Sequence, residues 1–113
     1  MKERIRKEIL ESAKVKSELA ERSIDDINSA SSLMIKSIIN GGKIIWCGNG
    51  GSAADAQHLS TELMGGMTDH ESKPIPSIAL TTDTSFLTAW TNDTDFETVF
   101  SRQIQGIGSK GDV

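Results

Sequence analysis

The residues with the clearest potential for chemistry lie between Cys47 and Glu62. A glycine-rich turn in this segment consists of Gly48, Asn49, Gly50 and Gly51. Glycine allows positive φ and lets a ligand approach the main chain, while the first turn of a following helix offers free N–H groups and a dipole that favours an anion. The turn therefore predicts a cradle for a phosphate group. The hydroxyl of Ser52 would serve either as the helix N-cap or as a phosphate contact.

The spacing of the glycines argues against two common phosphate sites. Ala53 breaks the Gly-x-Gly-x-x-Gly pattern of dinucleotide sites, and no Lys-Ser or Lys-Thr follows the turn as it does in a nucleotide P-loop. A simple sugar phosphate is therefore the better ligand. The alternative is a turn that needs glycine for its shape and binds nothing.

His58 and Glu62 are the second chemical feature. They are four residues apart, which places them one turn apart on one helix face. They could form an acid/base pair, supply two ligands to a divalent metal such as zinc, or be an ordinary surface pair. Other candidates carry weaker signals. We expect Asp55 and Gln57 to face solvent and Cys47 to be a small buried residue at a strand end. His70 falls in a polar loop, and the sequence around it has no pattern that indicates a functional partner.

The elements that would position these residues alternate along the chain. No glycine or proline precedes Gly41, and apolar residues at helical spacing predict two helices before the stop at residues 40–42, with Ser23 as N-cap of the second. Short apolar runs at 43–47 and 76–80 predict strands. Helices are expected at 52–64, 86–90 and 96–107, with Asn92 and Asp93 in a helix-breaking turn. A third strand is expected from Asp112. This order predicts an α/β fold with a parallel sheet.

Composition excludes several classes of function. The chain has 113 residues and a formal net charge of −4, which argues against a general nucleic-acid or membrane-surface binder. No apolar run approaches the ~18 residues of a membrane span. A single cysteine and no signal-peptide pattern predict a cytoplasmic protein.

Several separate motifs, taken together, resemble one family. They are the run from Cys47 to His58, Glu62-Leu63, the segment 78–85, Asn92-Asp93 and the segment 100–103. In this combination and order the chain resembles the phosphoheptose isomerases of the sugar-isomerase (SIS) fold. The resemblance implies a doubly wound, flavodoxin-like parallel sheet. It also implies N-terminal helices at residues 1–40 that serve oligomerisation, and the N-terminal part of an SIS domain at residues 41–113.

The same resemblance implies an activity and a set of roles. The activity is conversion of sedoheptulose 7-phosphate to D-glycero-D-manno-heptose 7-phosphate by a homotetramer with one Zn²⁺ per subunit, for bacterial nucleotide-heptose synthesis leading to lipopolysaccharide or capsule. His58 and Glu62 match zinc ligands, and Glu62 also matches a substrate contact and the catalytic base. The other residues that match substrate contacts are Asn49, Gly50, Gly51, Ser52, Asn92 and Asp93.

Two departures from the family pattern qualify these expectations. Gly66 stands where the family usually has an arginine associated with the active site. The family's second phosphate loop, its remaining zinc ligands and its second acid/base group find no counterpart among these 113 residues. We therefore expect the segment alone to be inactive and poorly folded. The alternative function is a non-catalytic SIS-fold regulator or sugar-phosphate-binding protein that acts through protein contacts. The carboxylate of Glu62 favours the enzyme.

Overall fold

The computed structural model describes all 113 residues, which form two compact units, Met1–Leu33 and Met34–Val113. Each unit is described by itself below. The elements in chain order are α1 (Lys2–Arg22), α2 (Ile24–Ile39), β1 (Ile44–Trp46), α3 (Gly51–Gly65), β2 (Ser77–Ala79), α4 (Thr84–Asp93) and α5 (Val99–Ile107). The predicted domain boundary after residue 40 falls just beyond the end of α2, and as a domain boundary it stays a prediction.

The first unit is entirely helical. No residue of α1 is buried, and its two ion pairs, Arg4–Glu8 and Lys14–Glu18, join exposed side chains at 4.0 and 3.7 Å. Such pairs add little stability. Ser23 separates the two helices, and its N–H donates to the carbonyl of Leu19. No helix of the chain combines the length and the hydropathy that crossing a bilayer requires.

The second unit contains the parallel sheet that the sequence predicts. β1 and β2 pair in parallel, with Ile44 opposite Ser77 and Trp46 opposite Ala79. On the other side of β1, the N–H of Val113 donates to the carbonyl of Lys43 at 3.1 Å, and the carbonyl of Val113 accepts from Ile45 at 2.7 Å. This alternation is the parallel ladder pattern. The expected third strand therefore begins beside β1, giving the order β2, β1, Val113.

A small core holds the sheet to its helices. The buried apolar residues are Ile44, Ala56, Ala79, Leu80 and Val99. Gln103 of α5 fixes the end of the sheet, because its side-chain amide donates to the carbonyls of Leu80 at 3.0 Å and Val99 at 3.2 Å. On the sheet itself, the indole N–H of Trp46 donates to the buried hydroxyl of Ser77 at 2.9 Å. These bonds satisfy polar groups that would otherwise be costly to bury.

Helix boundaries differ from the sequence expectation in three places. One is α5, which begins at Val99 and not at residue 96, because Asp95 and Thr98 form a turn before it. α3 begins at Gly51, with Gly50 as N-cap and no side-chain cap, so the prediction that Ser52 caps this helix is wrong. The backbone makes the first turn itself, since Ser52 N–H donates to the carbonyl of Asn49 at 3.1 Å. α4 is longer than expected because Asp83 caps it, accepting from the N–H of Phe86 at 2.9 Å.

Candidate functional site

The glycine-rich turn lies at the carboxyl edge of the sheet. β1 ends at Trp46 and β2 ends at Ala79, and these two residues are paired, so the segments after them emerge side by side. The pairing continues one step further, because the N–H of Leu80 donates to the carbonyl of Trp46 at 2.9 Å. Ligands of open parallel sheets bind outside this edge. The predicted cradle therefore has the location that such sites require.

The turn is folded tightly onto the first turn of α3. A Cβ on Gly48 would lie 2.7 Å from the Cβ of Ser52, so only glycine fits there without displacing the helix. Gly50 has φ of +58°, a backbone conformation that residues other than glycine rarely adopt. Two glycines are thus required by close approach and by backbone angle. The structural requirement does not compete with the predicted anion site, because the same geometry exposes the backbone.

Donor groups at this edge are free. The N–H groups of Gly50 and Gly51 find no acceptor in the chain, and the hydroxyl of Ser52 makes no hydrogen bond. The residues from Asn49 to Ser52 are all exposed. An anion placed at the amino end of α3 would meet these donors and the positive end of the helix dipole.

Hydroxyl residues after β2 complete the edge. The hydroxyl oxygen of Thr81 accepts from the side-chain amide of Gln57 at 3.3 Å and lies 3.5 Å from the carbonyl oxygen of Ala53. Gln57, which the sequence predicts to be an ordinary solvent-facing residue, thus links α3 to the turn after β2. A signal was available, because Thr81 and the glycine turn each follow a strand of the same parallel sheet.

His58 and Glu62 lie together on α3, as their spacing predicts. The Nε2 atom of His58 is 3.8 Å from the Oε1 atom of Glu62, and their side chains are 74% and 36% exposed. One ion at about 2.0–2.2 Å from each atom could bridge this separation, and imidazole nitrogen with carboxylate oxygen is a donor set that zinc accepts. No third His, Cys, Asp or Glu joins the pair. The chain thus offers two of the four ligands that zinc usually takes.

Asn92 and Asp93 are placed apart from that pair. They are the last two residues of α4, not part of a turn that breaks it, because the helix continues past Trp90 until Thr94, whose N–H donates to the carbonyl of Trp90. The amide of Asn92 donates to the carboxylate of Asp93 at 2.7 Å, and both residues are exposed. Among the elements of the sheet unit, α4 packs on α5 and not on α3. Within one chain, the structure does not bring these residues to His58 and Glu62.

Two further residues clarify the sequence expectations. Cys47 is exposed, so the prediction that it is buried is wrong, since it follows the last paired residue of β1. Gly66 ends α3 in the left-handed conformation with φ of +79°, as the glycine pair predicts. A Cβ on Gly66 would collide with the carbonyl oxygen of Asp69. Glycine at this position is therefore required by the local backbone.

A match to a family model decides the family. The model for the SIS domain matches residues 9–113. The chain belongs to the SIS domain family. The parallel sheet, the glycine turn after β1 and the helix after it are thus parts of an SIS fold, and the fold expectation is confirmed.

Relatives of this SIS domain share a name. The chain is 49% identical over 110 residues to the phosphoheptose isomerase of Aromatoleum aromaticum, covering 97% of this chain and 55% of that protein. It is 44% identical over 113 residues to the phosphoheptose isomerase of Shewanella sp. (strain ANA-3), covering 100% of this chain and 57% of that protein. The SIS domain described here thus spans a little over half the length of these relatives.

Solved structures agree with that likeness. The structure of phosphoheptose isomerase from Neisseria gonorrhoeae superposes with a TM-score of 0.89 at 42% identity, covering 98% of this chain and 56% of that one. The phosphoheptose isomerase structure from Francisella tularensis superposes with a TM-score of 0.92 at 34% identity, covering 97% and 57%.

Proposed function

We propose that the protein is an aldose–ketose isomerase that converts sedoheptulose 7-phosphate to D-glycero-D-manno-heptose 7-phosphate. One observation carries the proposal: α3 presents free backbone donors at its amino end and the His58–Glu62 pair further along the same helix. An anion cradle and an acid/base or metal pair on one rigid element suit a phosphorylated sugar. The likeness to phosphoheptose isomerases supports the reaction.

The substrate phosphate is proposed to bind at the glycine turn. Gly50 and Gly51 would donate backbone N–H groups, and Ser52 would donate its hydroxyl. Asn49, next to them, would contact the sugar. Asn92 and Asp93 are proposed as contacts to sugar hydroxyls, because an amide and a carboxylate can together donate and accept. Since α4 does not pack on α3, these two residues would reach the site from another chain or through another part of the assembly.

Glu62 is proposed as the catalytic base. Isomerisation moves a proton between neighbouring carbons through an enediol, and one carboxylate can take the proton from the first carbon and return it to the second. The side chain of Glu62 is about one-third exposed and has no partner other than His58, so it is free to turn toward a bound sugar.

We further propose one Zn²⁺ per subunit, held in part by His58 and Glu62. Their donor atoms fit zinc in type and separation, and the remaining ligands would come from outside the described chain. When bound, zinc would polarise the substrate carbonyl and stabilise the developing enediolate.

A homotetramer in the cytoplasm is proposed as the working form. The exposed apolar residues of α1 support an assembly role for the first helices, since such residues usually find a partner surface. They are Ile5, Ile9, Leu10, Val15 and Leu19. The product would enter nucleotide-heptose synthesis for lipopolysaccharide or capsule.

The decisive experiment uses protein expressed from its complete coding sequence. It is incubated with sedoheptulose 7-phosphate, the aldose product is followed by chromatography, and zinc is measured in the same sample. Sedoheptulose without phosphate is the control, and it should turn over far more slowly because the cradle then binds nothing. Failure to form any aldose 7-phosphate with zinc present would refute the proposal.

A further inference from the structure

A bridge of side chains spans the connection between α4 and α5. The indole N–H of Trp90 donates to the hydroxyl oxygen of Thr98 at 2.9 Å, and that hydroxyl donates to the Oδ1 atom of Asp95 at 2.7 Å. The backbone N–H of Thr98 donates to the same carboxylate oxygen at 2.7 Å. The hydrogen bond that the Thr98 hydroxyl donates, followed by the one from the Thr98 backbone N–H, lowers the pKa of Asp95, so the carboxylate stays a charged acceptor. We call this chain of contacts the indole bridge.

The indole of the bridge is held on its faces as well as at its edge. The ring of Phe86 stacks on that of Trp90, with centroids 5.8 Å apart and planes within 15°. The guanidinium of Arg102 lies 5.1 Å from the ring centroid, within cation–π range. One contact comes from the preceding turn of α4 and the other from α5. The indole is therefore fixed by three independent contacts, which is unusual for a side chain so near the surface.

The bridge encloses the segment that carries two proposed substrate contacts. Trp90 lies two residues before Asn92, and Thr98 lies six residues after it. Apart from the indole bridge, one backbone hydrogen bond lies in this segment. The N–H of Thr94 donates to the carbonyl of Trp90 where α4 ends. The hydroxyl of Thr98 does not cap α5, so its contacts serve the bridge and not the start of that helix.

We propose that Trp90, Thr98 and Asp95 are positioning residues that hold the segment with Asn92 and Asp93 in its substrate-binding conformation. The inference rests on the proposed function, because it takes Asn92 and Asp93 as contacts to a sugar phosphate. It adds to that function the indole bridge, whose residues Trp90, Thr98 and Asp95 are outside the motifs that predict the site. Arg102 and Phe86 support the device by fixing the plane of the indole.

The test compares Thr98→Val with Thr98→Ser in protein made from the complete coding sequence. Valine keeps the shape and the backbone N–H but deletes the hydroxyl, whereas serine keeps the hydroxyl. Hydrogen exchange of the peptide covering residues 91–97 is measured by mass spectrometry. Loss of the two hydrogen bonds that this hydroxyl makes should speed exchange by about fivefold or more in Thr98→Val and leave Thr98→Ser close to wild type.

Steady-state kinetics then separate positioning from general stability. We expect Thr98→Val to raise KM for sedoheptulose 7-phosphate about three- to tenfold with kcat within about twofold, because a binding contact is misplaced while the base is untouched. Thr98→Ser should restore KM. If Thr98→Val does not fold, Trp90→Phe removes the same N–H donor while keeping a ring.

Each outcome decides a different claim. Unchanged exchange in Thr98→Val overturns the bridge itself, whatever the activity. Faster exchange with unchanged KM overturns the positioning role while the isomerase function stands. If the wild-type protein does not turn over the sugar phosphate, the proposed function and the positioning role both fail, and exchange alone still reports whether the bridge orders the segment.

Discussion

The two ends of β1 are built in opposite ways. At the amino end, the backbone N–H of Lys43 donates to Oδ1 of Asp112 at 2.9 Å, and its ammonium donates to Oδ2 at 2.6 Å. The N–H of Ser109 also donates to Oδ2 at 2.7 Å, and Ser37 donates to the carbonyl of Gly111 at 2.6 Å. At the carboxyl end, the hydroxyl of Ser52 and the N–H groups of Gly50 and Gly51 have no partner in the chain.

The difference separates polar groups that hold the fold from polar groups that await a ligand. Both oxygens of Asp112 are occupied and its side chain is only 8% exposed, so this end locks Val113 beside β1. The free donors at the other end are exposed, and the His58–Glu62 pair lies further along the helix that begins there. Substitutions should therefore divide in the same way, with loss of activity for the site side chains of α3 and loss of stability for the paired groups at the amino end.

The largest expected effect is on turnover, from Glu62→Gln on α3. The amide cannot act as a base, so we expect kcat for heptulose phosphate isomerisation to fall by about 10²–10⁴-fold or more. Circular dichroism and the free energy of unfolding should stay close to wild type, because the carboxylate of Glu62 has no polar partner other than His58 and glutamine keeps its size. Glu71→Gln, at an exposed loop position, is the matched control. Turnover near wild type in Glu62→Gln would sink both the assigned base and the contrast between the two ends.

The next effect is on metal binding, from His58→Ala. Removing a direct ligand should weaken zinc binding by more than the roughly 10–100-fold that changes to outer-shell groups cost. His70→Ala is the matched control, since His70 is the only other histidine and its Nδ1 atom lies 2.8 Å from the carbonyl oxygen of Gly65. Zinc content and affinity are measured by competition with a chelating dye. Equal losses in both variants would show that His58 is not a ligand.

A smaller effect on stability is expected within the glycine turn itself. Gly48→Ala places a methyl group 2.7 Å from the Cβ of Ser52, and this overpacking should cost about 1–3 kcal/mol of unfolding free energy. Gly51→Ala is the matched control, because a Cβ there meets nothing within 4 Å and the φ of Gly51 is not positive. Urea unfolding compares the two. A cost for Gly51→Ala as large as that for Gly48→Ala would contradict the close approach of the turn to α3.

Local patterns predicted much of the fold, because they depend on neighbouring residues. Glycine conformations and apolar runs predict the helix stops at Gly41 and Gly66 and the two parallel strands. They also predict the pairing of Val113 beside β1. The His58–Glu62 pair also follows, since helix spacing alone places it. These features need no knowledge of distant parts of the chain.

Contacts between distant residues could not be predicted in this way. The Lys43–Asp112 pair and the link from Gln57 to Thr81 join residues 69 and 24 positions apart. The exposure of Cys47 likewise depends on where strand pairing stops and not on its own type. The indole bridge of Trp90 was missed because aromatic residues at helical spacing first predict core packing.

The smallest expected effect is on how stability depends on acid pH, and it tests the amino end of β1. The bond from the Lys43 side chain, with the N–H groups of Ser109 and Lys43, lowers the pKa of Asp112. A carboxyl group with a lowered folded-state pKa stabilises the fold above its unfolded pKa of about 3.9, and this contribution is lost as pH falls through the folded value. Asp112→Asn should therefore unfold with a shallower acid dependence below about pH 4 than wild type, and be less stable at pH 7.

Lys43→Met is the partner variant that sharpens this test. Removing the ammonium deletes the main cause of the lowered pKa of Asp112, so the stability of Lys43→Met should also depend less steeply on acid pH. The double variant should lose less stability than the sum of the two single losses. The effect should be modest because the Lys43 side chain is 27% exposed and water screens the pair. Strict additivity in this cycle would mean that the ammonium of Lys43 adds nothing through Asp112, and that hydrogen bonds with main-chain groups hold the amino end. The contrast between the two ends of β1 would then rest on main-chain geometry and not on paired charges.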